Sequence, residues 1–278
     1  MAEIKKGKRM KRLIQKKLKK TKENLYYILS ALMIGLIVGG IDALFGRVLI
    51  AITDFRGRYI QIFIWFLPIA GLFICWMYHR FNEMSLKGMT LVLETAQGKR
   101  ADIPLALVPL VMVGTWITHL FGGSAGREGV AVQIGATLSH WFARRFKFAD
   151  NRTILLIAGM AAGFGGLFQT PFAAVFFAME VVVTGKMLYQ AFLPSLVAAV
   201  TASTFSNALG LEKFAVPLKQ SFNLSESKTM FYMVILGVSF GLTGRVFSVL
   251  LKRAKAFMGE KLANPYKRIG FVSIPLAI

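Results

Sequence analysis

Residues 122–135 read Gly122-Gly123-Ser124-Ala125-Gly126-Arg127-Glu128-Gly129-Val130-Ala131-Val132-Gln133-Ile134-Gly135, between two strongly apolar runs. The glycines interrupt any helix, and from Val130 an apolar helical pattern resumes. If the break lies at membrane depth, it exposes backbone N–H groups, and helix N-termini carry partial positive charge, so the bend is a ready anion site. Gly126 and Gly129 let a ligand approach the backbone, Arg127 adds a cationic field, and Val130 opens the next helix. Glu128 then stands where an anion should bind. A carboxylate there competes with the anion for the same N–H groups, and protonation frees it to swing away. One residue can therefore be both plug and proton carrier. The structural alternative is a Glu that caps the helix and pairs with Arg127.

The flanks place the break in a bilayer. Of the 278 residues 55% are hydrophobic, 24 of them Phe, which exceeds the apolar share of an ordinary soluble domain. The net charge of +21 is concentrated in residues 1–22, where Lys5, Lys6, Lys8, Arg9, Lys11, Arg12, Lys16, Lys17, Lys19, Lys20 and Lys22 form a block that attracts anionic lipid headgroups. Met10, Leu13, Ile14, Leu18 and Leu25 recur there at helical spacing, so the block reads as an interfacial helix or as a solvated tail that sets topology. No groove-reading or aromatic-interleaved module follows it, which argues against a nucleic-acid partner. Cys75 stands alone, and His79, His119 and His140 have no metal-ligand spacing, so neither a disulfide, a metal nor a cofactor is expected. The first apolar run is too long for a signal peptide and contains Asp42 and Arg47 in its second half.

A span needs about 20 apolar residues. Residues 25–53 and 59–78 both qualify, the first running outward from a cytoplasmic basic tail and the second returning. Residues 105–120 then run into the Gly-rich break, and the helix after it ends at Arg144, Arg145, Lys147 and Arg152. Both flanks carry the cytoplasmic signature, which predicts two half-helices meeting inside the membrane. Residues 153–168 and 172–183 repeat the pattern around Gly165-Gly166-Leu167-Phe168-Gln169-Thr170-Pro171. A crossing over 188–209, a mixed-charge external loop over 211–228 and a return over 229–251 complete the reading.

Tyr27-Ile28-Leu29-Ser30-Ala31-Leu32-Met33-Ile34-Gly35-Leu36 is similar to Tyr232-Met233-Val234-Ile235-Leu236-Gly237-Val238-Ser239-Phe240-Gly241-Leu242, with opposite predicted directions. That pairing is the signature of inverted-topology repeats. It divides the chain into a basic cytoplasmic segment (1–24), a first transmembrane repeat (25–225) and the start of a second, incomplete repeat (226–278). The expected class is all-α, polytopic, with broken half-helices.

The Gly126-Arg127-Glu128-Gly129 stretch, continued by Val132-Gln133-Ile134-Gly135, resembles the motif of the CLC chloride channels and anion/proton antiporters. Residues 161–180, from Ala161-Ala162-Gly163 through Pro171 to Met179-Glu180, are similar to the paired helices that follow that motif. The resemblance implies the CLC inverted-repeat fold and a homodimer, with the 188–209 helix contributing to its interface. It makes Glu128 the gating and proton-exchanging group, and Gly88, Met89, Thr90, Gly126, Arg127, Gly129 and Val130 the anion-binding set. Three departures stand out. The usual proline after the motif is Val130. The family's Gly-Ser-Gly-Ile-Pro segment is replaced by Lys87-Gly88-Met89-Thr90-Leu91, which puts Met89 at the anion-binding Ser. The internal proton-transfer Glu falls on Val181, beside Glu180, which is expected to pair with Lys186 at the cytoplasmic face or else to relay protons. These substitutions resemble the bacterial fluoride-exporting branch. A thioether replaces a hydroxyl donor, so an anion beside Met89 must rely on backbone N–H groups, unless Met89 merely packs.

The resemblance thus implies a multi-pass plasma-membrane transporter, N-terminus inside, exchanging fluoride for protons. A chloride/proton antiporter or chloride channel of the same fold is the alternative. A non-transporting scaffold whose basic tail recruits anionic lipid is a reading of another class. Enzymatic chemistry is not expected, since Ser124 is the only candidate nucleophile near Arg127 and Glu128.

Overall fold

The computed structural model describes residues 2–145, 152–183, 185–213, 226–262 and 264–277, and among them every regular element is helical. Two units result, one of residues 1–213 and the other of 214–278.

The first unit starts with α1 (Ala2–Phe63), which includes the basic segment as its N-terminal part and kinks at Tyr59 (φ −130°, ψ 16°). A 3-10 turn over Ile64–Phe66 leads to α2 (Leu67–Phe81), whose Pro68 occupies the first turn, where a missing N–H costs nothing. The kink falls where the second predicted span begins, at Tyr59. Asp54-Phe55-Arg56-Gly57-Arg58 reads as a loop by charge but continues the helix. Arg56 reaches back to donate to the His119 carbonyl (3.4 Å). Then follow α3 (Met89–Ala96), α4 (Leu107–Leu120), α5 (Glu128–Arg145), α6 (Arg152–Phe168), α7 (Pro171–Val181) and α8 (Phe192–Ala208). Both predicted breaks are present, at 121–127 between α4 and α5 and at 169–170 between α6 and α7. The second unit holds α9 (Ser227–Lys261) and α10 (Pro265–Ala277). Most of the predicted external loop, 214–225, lies outside the described residues.

Helix α6 is the axis of the first unit: from Ile154 to Leu167 every residue except Phe164 is buried, against α1, α5, α7 and α8. Small residues make this possible. Gly35 and Gly39 of α1 lie so close to α8 that an added Cβ would come within 2.7 Å of the Ala198 and Ala202 carbonyls. Ala131, Gly135 and Ser139 of α5 meet Gly159 and Gly163 of α6 in the same way.

The surrounding medium can be read from burial. On α1, Ala31, Ile34 and Val38 point inward, while Leu29, Met33, Leu36 and Ile37 on the other side are exposed. A helix apolar all round, with one face uncovered, belongs in lipid. Among the described residues, three segments are long and apolar enough to cross a membrane, Lys20–Phe81, Tyr189–Ala208 and Ser227–Lys261.

At the end of α5 away from the break, Asp102, in the connection between α3 and α4, accepts from Arg144 (2.5 Å) and pairs with His140 (3.2 Å). Partial desolvation pushes the Asp102 carboxyl up, but the hydrogen bonds and charges of Arg144 and then His140 outweigh it and hold the group below the usual carboxylate range. A depressed carboxylate contributes stability that is present above its unfolded-state value and disappears as pH falls through the folded one. Asp102→Asn should therefore lower the melting temperature of the detergent-solubilised protein at neutral pH. The gap from wild type should close once the pH is well below roughly 3.9. The gap is small, because about half of the side chain faces solvent. A gap that stayed constant into acid would assign it to shape rather than charge.

Candidate functional site

The break between α4 and α5 is built by a Schellman turn. Gly122, at φ 80°, takes the left-handed position; its N–H bonds the His119 carbonyl (3.2 Å), and the Gly123 N–H bonds that of Thr118 (2.8 Å). A side chain at Gly122 would also meet Ile60. The chain re-enters helix at Glu128, and the first intrahelical bond runs from Ala131 N–H to the Arg127 carbonyl (3.0 Å). The N–H groups of Glu128, Gly129 and Val130 precede that bond, so they lack intrahelical partners.

Val130 anchors this helix start, packed with Ala43, Phe45, Val108, Ile134, Leu167 and Leu211. Arg127 swings to the side, its guanidinium 5.9 Å from the centre of the Phe168 ring, which ties this break to the end of α6. Glu128 is exposed, and its carboxylate folds back over Gly126, with Oε2 3.0 Å from where a Cβ would stand. A glycine at 126 is what leaves that room.

The other predicted segment arrives from α3. Gly88 caps it at φ 50°, a left-handed conformation that favours glycine, after a turn in which Asn82 accepts from the Ser85 N–H (3.0 Å). Gly88 faces Gln133 of α5: the Gln133 Oε1 lies 3.3 Å from where a Gly88 Cβ would be, and its Nε2 donates to the Gly129 carbonyl (2.9 Å). One buried amide thus stands between the Gly88 turn and the Glu128 helix. Met89, half-buried, packs onto the core cluster that includes Leu91, Val132 and Ala161. Thr90 is exposed.

Gln133 is the residue that the sequence reading passed over as part of a motif. The available signal was a Gln one helical turn after Gly129, within an otherwise apolar stretch. At the second break Gln169, the one non-glycine residue at positive φ (55°) among the described residues, donates to the Leu211 carbonyl (2.5 Å) and accepts from Asn207 (2.7 Å). Glu180 is exposed on α7, and the expected pair with Lys186 is absent among the described residues. The chain turns away after α7: Gly185 is left-handed at φ 77°, and the Lys186 N–H bonds the Val183 carbonyl (3.0 Å).

Residues 70–278 match the family described as voltage gated chloride channel. A chloride/fluoride channel protein of Pseudomonas syringae pv. tomato is 34% identical over 227 residues, 81% of this chain and 50% of that protein. The chain spans about half the length of the curated relatives it matches. The crystal structure of a CLC-type fluoride/proton antiporter superposes with a TM-score of 0.86 at 44% identity, covering 91% of this chain and 64% of that one. A slow cyanobacterial Cl-/H+ antiporter shares the fold, with a TM-score of 0.74 at 22% identity over 89% of this chain and 62% of its own. With its two broken helices, its Gly-Arg-Glu-Gly bend and a match over residues 70–278, the chain belongs to the voltage-gated chloride channel (CLC) family.

Proposed function

We propose that the intact protein exchanges fluoride for protons across the plasma membrane, with Glu128 as the exchanging group. The observation that carries this reading is a carboxylate on the first residue of α5, folded over Gly126 beside the helix start whose free N–H groups would serve an anion. Gly126, Arg127, Gly129 and Val130 form one wall of the anion position and Gly88, Met89 and Thr90 the other, with Gln133 between them. Fluoride rather than chloride is supported by Met89 in place of a hydroxyl donor and by the 44% identity to a fluoride/proton antiporter. In this reading residues 25–225 form the first inverted repeat and 226 onward belongs to the second. The basic segment 1–24 is cytoplasmic and rests on anionic lipid. A homodimer is supported by the exposed apolar faces of α7 and α8, which carry Phe172, Phe176, Phe192 and Leu193.

Parallel efflux of fluoride and chloride from proteoliposomes, with external pH recorded, tests the reading. Fluoride-driven proton uptake supports it, and chloride flux that outpaces fluoride overturns it in favour of a chloride transporter. Within the same assay Met89→Ser should move the fluoride-to-chloride flux ratio toward chloride by roughly fivefold, the worth of one hydrogen bond of about 1 kcal/mol. An unchanged ratio would leave Met89 as a packing residue of the α3–α5 core.

A further inference from the structure

Asp42 is the buried carboxyl that the Glu128 mechanism does not use. It lies in the apolar run of α1, is 0% exposed, and neither carboxyl oxygen has a hydrogen-bond partner among the described residues. It continues the stripe on which Gly35 and Gly39 seat Ala198 and Ala202 of α8. At its own level Oδ2 points at α6, 2.5 Å from where a Cβ on Gly166 would stand, and that same Cβ would touch Ala202. Three backbones thus close around one acid.

Among the described residues, the helices packed against it supply no counter-charge. Helix α8 has no titratable residue, and α6 has only Arg152, at its first position. On α4, His119 bonds the Thr115 carbonyl (3.0 Å). On α5, Glu128 is exposed at the bend, His140 and Arg144 are held by Asp102, and Arg145 is exposed at the helix end. On α1 itself Arg47 donates to the Leu209 carbonyl (3.0 Å). A carboxylate with neither water nor a cation is among the costliest groups to bury, whereas an uncharged acid is far less so. Intramembrane acids are accordingly functional groups by default.

We propose that Asp42 is a second proton-binding site in this protein, occupied while α1, α6 and α8 are packed together and opened to water when the proton leaves. The closed seam then holds one more proton than the open one, where the carboxylate is hydrated. Opening is therefore favoured as pH rises, by about tenfold per pH unit for a single proton. The proposal rests on the membrane setting and not on the role of Glu128, so each can fail without the other.

The test uses the full chain in lipid nanodiscs, in a Glu128→Gln background that removes the Glu128 carboxyl from the signal. Infrared difference spectra should show a protonated-carboxyl band that Asp42→Asn eliminates. Amide hydrogen exchange around Gly166 and Ala202, taken as the ratio of Asp42-containing protein to Asp42→Asn so that intrinsic rates cancel, should rise with pH by about tenfold per unit. A band that survives Asp42→Asn, or a ratio that is flat with pH, overturns the proposal. Should Asp42→Asn fail to fold, Asp42→Ala gives the same two readouts, since it only removes atoms from the seam.

Discussion

Glu128→Gln in the intact transporter abolishes anion-driven proton movement in proteoliposomes, down to the level of protein-free vesicles. The amide keeps the size and most of the hydrogen-bonding of the carboxyl but cannot take up a proton, so only titration is lost. Folding should be unaffected, because Glu128 is exposed on the first residue of α5 and the helix start is held by buried Val130 instead. Net anion flux then reports where the neutral side chain rests. Flux that stops places the amide over Gly126, on the N–H groups an anion needs; flux that continues without protons means it has left them. Proton movement at the wild-type rate would take Glu128 out of the mechanism and leave it as a helix cap.

What was legible in the sequence follows from how local each signal is. Glycine and proline act on their own backbone, so both broken helices could be placed from Gly122-Gly123 and from Gln169-Thr170-Pro171 within a residue or two of α4, α5, α6 and α7. Asp54–Arg58 ends the apolar run without ending the helix, since none of those residues breaks a helix as strongly as Pro68, and the backbone kinks just after them, at Tyr59. Gln133 and Asp42 were not legible as site residues. Their meaning comes from what other elements bring to them, the Gly88 turn in one case and Gly166 and Ala202 in the other. The CLC resemblance supplied Met89, whose composition alone would read as core packing, and the structure does seat it partly on the core cluster.

The same distinction governs the largest expected effect on folding, which belongs to a glycine that the sequence presented only as part of Val132-Gln133-Ile134-Gly135. A Cβ on Gly135 would collide with the Gly159 carbonyl and the Gly163 N–H of α6, and Gly159 and Gly163 face Gly135 and Ala131 in turn. Every atom in the way is backbone, so no side chain can rotate to make space, and Gly135→Ala must push α5 off α6. Overpacking a core costs about 1–3 kcal/mol where side chains can adjust. Here the displacement also loosens Val132 and Ala136 from Ile157 and Ala161, so the loss should exceed that range and approach the total stability of roughly 5–15 kcal/mol. Gly57 is the control: nothing lies within 4 Å of a Cβ added there, and in mid-helix Ala is favoured over Gly by about 1 kcal/mol. Size-exclusion profiles and melting curves of the two variants should therefore diverge. Gly57→Ala should match or exceed wild type, and Gly135→Ala should yield little monodisperse protein. A Gly135→Ala protein with the wild-type melting temperature would mean that α5 and α6 do not meet backbone to backbone, and the geometry that holds Glu128 at the bend would lose its support.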